Sequence, residues 1–269
     1  MSDTGSLQRT AGSVPAQPNP GILDVELLQR GLAENPLRVF PIECDGRRYW
    51  VKRLSKNLDN PLSRLAYRLR SRLSGKGEEA LGEHEVESLT ALRRHGFLTP
   101  EVVFRNQYCL VLSDLGPSLE TVLTLAPPEE RAPVVRQAAE AVRRLHDSGR
   151  WHGAARLHNM TLYQGQIGFI DLENTVENWL PPFMRRVWDT WQLGHSAAFF
   201  QPNVVLAETA LRAYGPGGVR KFLYAVAVLF FGTYAALYPF RNTGKREIRQ
   251  IHALMRAIYR APRKVPDAI

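Results

Sequence analysis

The sequence is poor in cysteine and lacks the signatures of several common protein classes. It has two cysteines among 269 residues, Cys44 and Cys109, and neither has a partner at CxxC spacing. Both lie in apolar, strand-like runs, which indicates reduced thiols in the core of a cytosolic protein. No zinc-finger, basic-zipper or aromatic RNA-binding motif occurs, so we expect no sequence-specific nucleic-acid partner.

The first twenty residues contain no apolar stretch of the kind that secretory signals carry. They are polar and rich in Pro, Gly and Ser, which predicts a flexible tail over residues 1–20. The net charge is +9, from 35 Lys and Arg against 26 Asp and Glu. This balance favours an anionic partner, whether nucleic acid, nucleotide, phosphorylated sugar or acidic membrane surface, without choosing among them.

Strand patterns dominate the first part of the chain and helical patterns the second. Residues 37–54 predict a hairpin, because two strand-like runs flank the tight-turn pair Asp45-Gly46. Short strands are also predicted on either side of Asn106 and of the pair Gln164-Gly165. Helices are predicted at 60–75, 78–95, 119–125 and 128–148, and through most of the chain after Pro182. The order indicates an α+β chain with a sheet-rich first part and a helical second part.

Five polar residues stand in an order that suits phosphoryl transfer. That reaction needs a cation on the nucleotide phosphates, a partner that directs the cation, and oxygen ligands for Mg²⁺. It usually also has a carboxylate that faces the acceptor hydroxyl. The candidates are Lys52 in a strand, Glu85 in the next long helix, His152 and Asn159 in one loop, and Asp171 at the end of the apolar strand GFID.

These residues carry a resemblance to protein kinases. WVK, EHEVESLTALRRHGF, HGAARLHN and IDLEN resemble the strand lysine, the helix with its paired glutamate, the catalytic loop and the metal-binding aspartate motif of that family. WDTWQLG, which contains Asp189, resembles the helix whose aspartate holds the catalytic loop in place. The resemblance covers residues 37–194 and implies a two-lobed kinase-like fold. A small antiparallel-sheet lobe at 21–112 would precede a helical lobe at 113–269.

Among kinases, the sequence is most similar to the compact bacterial lipopolysaccharide kinases, which phosphorylate Kdo or heptose of the inner core. Other small atypical kinases are nearly as similar. HG instead of HR in the loop, IDLE instead of DFG, and a basic insert between Lys52 and Glu85 carry the similarity. It implies ATP and Mg²⁺ as cofactors and a lipopolysaccharide-core sugar hydroxyl as acceptor. We also expect a cytoplasmic protein that is peripheral to the inner membrane.

The same resemblance implies a role for each candidate residue. Lys52 holds the nucleotide phosphates and Glu85 directs it, while Asn159 and Asp171 bind Mg²⁺. His152 belongs to the catalytic set as a buried residue that binds the loop backbone. The adenine is expected against the junction between the lobes, at Ser113, Asp114 and Leu115. Asp114 has a second interpretation, as a cap of the turn that follows it.

The catalytic loop departs from the kinase pattern at one position. Where the family has an aspartate, this chain has Ala154, which can neither accept a proton nor orient a hydroxyl. Loss of a general base costs about 10²- to 10⁴-fold. Transfer is therefore slowed or rewired, with His158, Asp171 or Glu173 as substitutes, or the chain is a pseudokinase. In the second case it would bind nucleotide and regulate or scaffold a partner.

The phosphate-covering loop is the second departure. It is expected at residues 30–37 and lacks the pattern GxGxxG, since only Gly31 is present. A weaker grip on the nucleotide phosphates follows, unless another segment supplies it.

Two segments are candidates for contact with a membrane. Residues 60–75 carry leucines at helical spacing with four arginines between them, Arg64, Arg68, Arg70 and Arg72. They form either a solvated helix face or a basic surface for anionic lipid or a phosphorylated substrate. Residues 222–240 are uncharged and have basic flanks, and they are just long enough to span a bilayer. A buried core helix is the alternative for that segment.

Overall fold

The structure is a computed structural model that describes residues 25–54, 78–106, 108–172, 180–215, 217–229 and 246–261. Within these ranges it contains six strands and eight α-helices. The predicted tail at 1–20 and the arginine-rich helix at 60–75 lie outside the described residues. The predicted lobe boundary after residue 112 stays a prediction.

A four-stranded antiparallel sheet forms the first part of the chain. Its strands are β1 (Val39–Cys44), β2 (Arg47–Arg53), β3 (Val102–Arg105) and β4 (Cys109–Ser113). They lie in the order β1-β2-β4-β3. The predicted first hairpin is confirmed, and its turn residues Asp45 and Gly46 have φ angles of 51° and 71°. Two successive positive φ angles match the twist of a hairpin, and Asp and Gly both tolerate them.

Helices make up most of the rest. They are α1 (Val25–Glu34), α2 (Glu78–Arg94), α3 (Leu119–Leu125), α4 (Pro128–Asp147), α5 (Pro182–Ala197), α6 (Asn203–Tyr214), α7 (Gly217–Leu229) and α8 (Arg246–Arg260). The helices predicted at 78–95, 119–125 and 128–148 are confirmed to within one residue at each end. Between α4 and α5 lie a 3₁₀ turn (Leu157–Asn159) and a second hairpin, β5 (Met160–Tyr163) and β6 (Gln166–Phe169).

The expectation of a phosphate-covering loop at 30–37 is wrong for its first five residues, because α1 continues to Glu34. Gly31 lies inside this helix. A Cβ atom on Gly31 would lie 3.2 Å from Cε2 of Phe40 and 3.3 Å from Cγ2 of Ile42. The glycine therefore serves the close packing of α1 on β1.

Both faces of the four-stranded sheet are covered. Side chains alternate along β4, so that Cys109 and Val111 pack with Leu28 of α1 on one face. Leu110 and Leu112 pack on the other face, in a core that continues through α2 and the helical part of the chain. This shared core packs one face of the sheet against the helices. The α+β architecture with a small antiparallel sheet and a helical remainder is confirmed.

The two cysteines are free thiols, and burial raises the pKa of the Cys109 thiol. Helix α7 covers the first residues of the uncharged segment 222–240, and it buries Val219, Leu223 and Ala227 in the core. Residues 230–240 lie outside the described part. Among the helices that are described, none combines the length and the apolar character needed to cross a bilayer.

Candidate active site

A buried cluster of charges lies between the sheet and the helical part. Nζ of Lys52 lies 2.8 Å from each carboxylate oxygen of Glu85 and 2.6 Å from Oδ1 of Asp171. The side chains of Lys52 and Glu85 are only 6% and 2% exposed, whereas that of Asp171 is 39% exposed. A buried ion pair is costly to break, so this contact fixes α2 against β2. The structure thus brings three of the predicted site residues together.

Asp171 reaches Lys52 through an unusual backbone conformation. It follows β6 by two residues and has a φ of 60°. Few residues other than glycine adopt this left-handed region, and Asp and Asn do so most readily. Strain of this kind concentrates at functional sites.

The loop with His152, Ala154 and Asn159 is held by its own hydrogen bonds. Nδ2 of Asn159 donates to the Ala154 carbonyl at 3.0 Å, and the Ala154 N–H donates to Nδ1 of His152 at 3.3 Å. Nε2 of His152 lies 3.3 Å from the Asn159 carbonyl, which also accepts from the Ile170 N–H. Because its amide nitrogen is used inside the loop, Asn159 can offer Oδ1 to a metal ion.

Helix α5 anchors this loop through two hydrogen bonds. Oδ2 of Asp189 accepts from the His152 N–H at 2.9 Å, and Nε1 of Trp188 donates to the Gly153 carbonyl at 2.8 Å. Asp189 is fully buried, so its carboxylate holds the loop backbone in an environment with little screening. This is the position that the resemblance implied for Asp189.

Two residues that the sequence analysis missed extend this anchor. Nε2 of His146 lies 3.0 Å from Oδ2 of Asp189, and its Nδ1 lies 2.8 Å from the Tyr214 hydroxyl. All three side chains are buried. His146 occupies the apolar face of α4, and that polar residue at a core position was the only signal in the sequence.

The Tyr214 hydroxyl gives a testable pH dependence. Burial raises its pKa to about 12, against about 10 in an unfolded chain. Between these values the unfolded chain binds fewer protons, so the free energy of unfolding falls by about 1.4 kcal/mol per pH unit. The stabilisation by the protonated hydroxyl is complete below about pH 10 and lost towards pH 12.

We expect Tyr214→Phe to lower the free energy of unfolding by about 1 kcal/mol at neutral pH. It should also flatten the alkaline decline in urea denaturation. Parallel pH profiles of the two proteins would contradict this assignment.

A cavity of about 650 Å³ opens beside the charge cluster. Lys52 and Asp171 line one end of it, and Leu112, Leu115 and Ile170 provide apolar walls. Its volume lies in the range of small-molecule and cofactor sites. An apolar cavity with a cation and a carboxylate at one end suits a nucleotide, whose flat base is apolar and whose phosphates are charged.

The predicted adenine contacts occupy the edge of this cavity. The Ser113 N–H donates to the Glu101 carbonyl at 2.9 Å, and the Asp114 N–H donates to the Arg48 carbonyl at 3.3 Å. Oδ1 of Asp114 accepts from Nε1 of Trp50 at 2.7 Å, so this carboxylate positions a wall of the cavity. Within the described ranges, no acceptor lies against the Leu115 N–H. Leu115 is therefore the one of the three predicted residues whose N–H is suited to a ligand.

Asn159 and Asp171 are the candidate metal ligands. Mg²⁺ prefers oxygen and is usually bound by one or two carboxylates together with phosphate and water. One carboxylate and one amide oxygen fit that pattern. The described ranges hold no group of three or more His, Cys, Asp or Glu side chains arranged around a metal ion. A single carboxylate with one amide oxygen suits a magnesium ion that is shared with a nucleotide.

The three predicted substitutes for the missing carboxylate have different surroundings. His158 is exposed, with Nδ1 3.6 Å from Oε2 of Glu120. Burial lowers its pKa, while the charge of Glu120 opposes that shift. Asp171 is bound to Lys52, and Glu173 lies outside the described residues. All three assignments stay predictions.

Comparison with known proteins bears on the whole of this site. Residues 29–204 match the model of the lipopolysaccharide kinase (Kdo/WaaP) family. A similar solved structure is that of WaaP in complex with acyl carrier protein. It is 19% identical, with a TM-score of 0.44, and the similarity covers 74% of this chain and 82% of that one. No curated protein matches the chain. The family match covers well over half of the chain and includes every candidate site residue.

Proposed function

Because the chain belongs to the lipopolysaccharide kinase (Kdo/WaaP) family, we propose that it transfers a phosphoryl group from ATP to a hydroxyl of a lipopolysaccharide-core sugar. The contact of Lys52 with Glu85 and Asp171 at the end of a nucleotide-sized cavity carries the proposal. It supplies a directed cation for the phosphates and a carboxylate for a metal within one hydrogen-bonded cluster.

Each residue then has a defined task. Lys52 binds the nucleotide phosphates, and Glu85 keeps its ammonium group in place. Asn159 and Asp171 hold Mg²⁺, which supplies charge neutralisation on the phosphates when it is bound. His152 and Asp189 keep the loop backbone in position, because His152 binds the Asn159 carbonyl at the other end of the loop and Asp189 joins the loop to α5.

The site of action is part of the proposal. We place the protein on the cytoplasmic side of the inner membrane, where ATP and nascent core sugars meet. The net charge of +9 supports attraction to anionic lipid.

Ala154 favours a second candidate function, that of a pseudokinase. No carboxylate is present at the position that faces the acceptor in the kinase pattern, and Ala154 itself is buried. Such a protein would keep nucleotide binding through Lys52 and Asp171 and would regulate or scaffold a partner in envelope biogenesis.

Single-turnover consumption of ATP by the purified chain separates the two functions. The assay contains Mg²⁺ or Mn²⁺, with delipidated lipopolysaccharide core as acceptor. Phosphate transfer that depends on the acceptor supports the kinase. Binding of ATP that depends on Mg²⁺, without turnover, supports the pseudokinase. Absence of both turnover and binding would contradict both functions.

A further inference from the structure

A second cavity, of about 240 Å³, lies on the helical side of the loop that carries Asn159. It is distinct from the nucleotide cavity, with which it shares no lining residue. Its lining combines carboxylate, guanidinium, imidazole, amide and aromatic groups, supplied by Glu120, Arg156, His158, His195, Phe199 and Gln250.

The two cavities are neighbours along α3, and the second cavity also borders the loop next to Asn159. Glu120 lines the second cavity, and the next residue of α3, Thr121, lines the nucleotide cavity. His158 lines the second cavity, and the next residue of the loop is Asn159, the proposed metal ligand. A molecule in the second cavity therefore lies beside the place where the transferred phosphate is expected. Such proximity is what a transfer between two bound substrates requires.

Arg156 and the loop backbone next to it are held in place by α5. Nε of Arg156 donates to Oε1 of Gln192. The N–H of the next residue, Leu157, donates to Oγ of Ser196 at 3.2 Å. The first bond uses one of five guanidinium N–H groups and fixes the direction of the others. The loop thus presents a preorganised donor to a ligand.

The mixture of charges indicates what kind of ligand fits. Two carboxylates, Glu120 and Glu247, and one guanidinium line the cavity, so it is not a site for a bare anion. Carboxylates accept from hydroxyl groups, whereas Arg156 and Gln250 donate to hydroxyl oxygens. Burial lowers the pKa of His195, and a neutral imidazole offers one donor and one acceptor. Phe199 adds a half-buried aromatic surface for C–H groups.

We propose that this second cavity binds the acceptor, as a polyhydroxylated ring whose hydroxyls meet Glu120, Arg156 and Gln250. The transfer of phosphate to the bound ring rests on the proposed function, whereas the binding of the ring in this cavity does not. The bound ring would present one hydroxyl past His158 towards the phosphate held at Asn159 and Asp171.

Equilibrium binding of delipidated lipopolysaccharide core tests the assignment separately from turnover. The dissociation constant is measured by calorimetry with and without ADP, for the full chain and for Arg156→Ala and Gln250→Ala. We expect each substitution to weaken binding of the core about tenfold, as for loss of a hydrogen bond to a ligand. The affinity for ATP should change less than about twofold. Arg136→Ala serves as the matched control, because Arg136 is exposed on α4 and lines neither cavity.

The outcomes separate this proposal from the proposed function. Binding that the two variants weaken supports the acceptor cavity even if the chain transfers no phosphate. Wild-type protein that does not bind the core, or variants that bind it as tightly as wild type, would overturn the assignment and leave nucleotide binding untouched. Melting temperatures of the variants within a few degrees of wild type exclude unfolding as the cause.

Discussion

Replacing Asp171 by asparagine is expected to lower the rate of phosphoryl transfer about 10³-fold. The substitution keeps the size of the side chain and removes the carboxylate that we assign to the metal, which lies 2.6 Å from Nζ of Lys52. Asparagine is the right choice because the φ of Asp171 is 60°, and asparagine adopts this region as readily as aspartate. Alanine there would add backbone strain of about 1 kcal/mol and confuse the result.

The effect should appear in binding as well as in rate. We expect the affinity of Asp171→Asn for ATP to lose its dependence on Mg²⁺, as measured by calorimetry with and without the ion. The fold should persist, because Lys52 keeps its contacts with both oxygens of Glu85. Asp147→Asn is the matched control, since Asp147 is exposed at the end of α4. If Asp171→Asn transferred phosphate at the wild-type rate, the metal assignment would be wrong.

The strand that carries Lys52 could be predicted from local sequence pattern alone. The pair Asp45-Gly46 and the alternating runs beside it determine a hairpin through contacts between near neighbours. The contact of Lys52 with Glu85 is of another kind, since it joins residues 33 positions apart. No periodicity predicts such a contact. It was expected from the resemblance to kinases alone, and the structure places the two side chains together.

Other features had no usable signal. The resemblance to kinases placed a phosphate-covering loop at residues 30–37, yet α1 continues to Glu34, and the packing of Gly31 on Phe40 outweighs the cost of a glycine inside a helix. The contact of His146 with Tyr214 spans 68 positions and depends on how α4 and α6 pack. The second cavity likewise arises from α3, the loop and α8, which are far apart in the chain. These features depend on the tertiary arrangement and could not be read from local pattern.

Ala154 separates the proposed kinase from the pseudokinase, and the loop around it is suited to a direct test. The Ala154 carbonyl accepts from Asn159 and its N–H donates to His152. Both contacts are made by the backbone of Ala154, so a change of its side chain removes neither. In the rest of the site, Lys52 already contacts both Glu85 and Asp171.

Restoring the carboxylate with Ala154→Asp is expected to raise the single-turnover rate of phosphoryl transfer about 10²- to 10⁴-fold, the usual contribution of a general base. The rate is measured with saturating ATP, Mg²⁺ and delipidated lipopolysaccharide core. Ala154→Asn is the matched control, because it has nearly the same volume as aspartate and cannot take the proton. A gain in the aspartate variant alone would show that the natural chain lacks only this group.

If a folded Ala154→Asp protein were no faster than wild type, then either another residue already accepts the proton or the acceptor does not approach this loop. The binding experiment on the second cavity distinguishes these two explanations, since only the second predicts that Arg156→Ala leaves the affinity for the core unchanged.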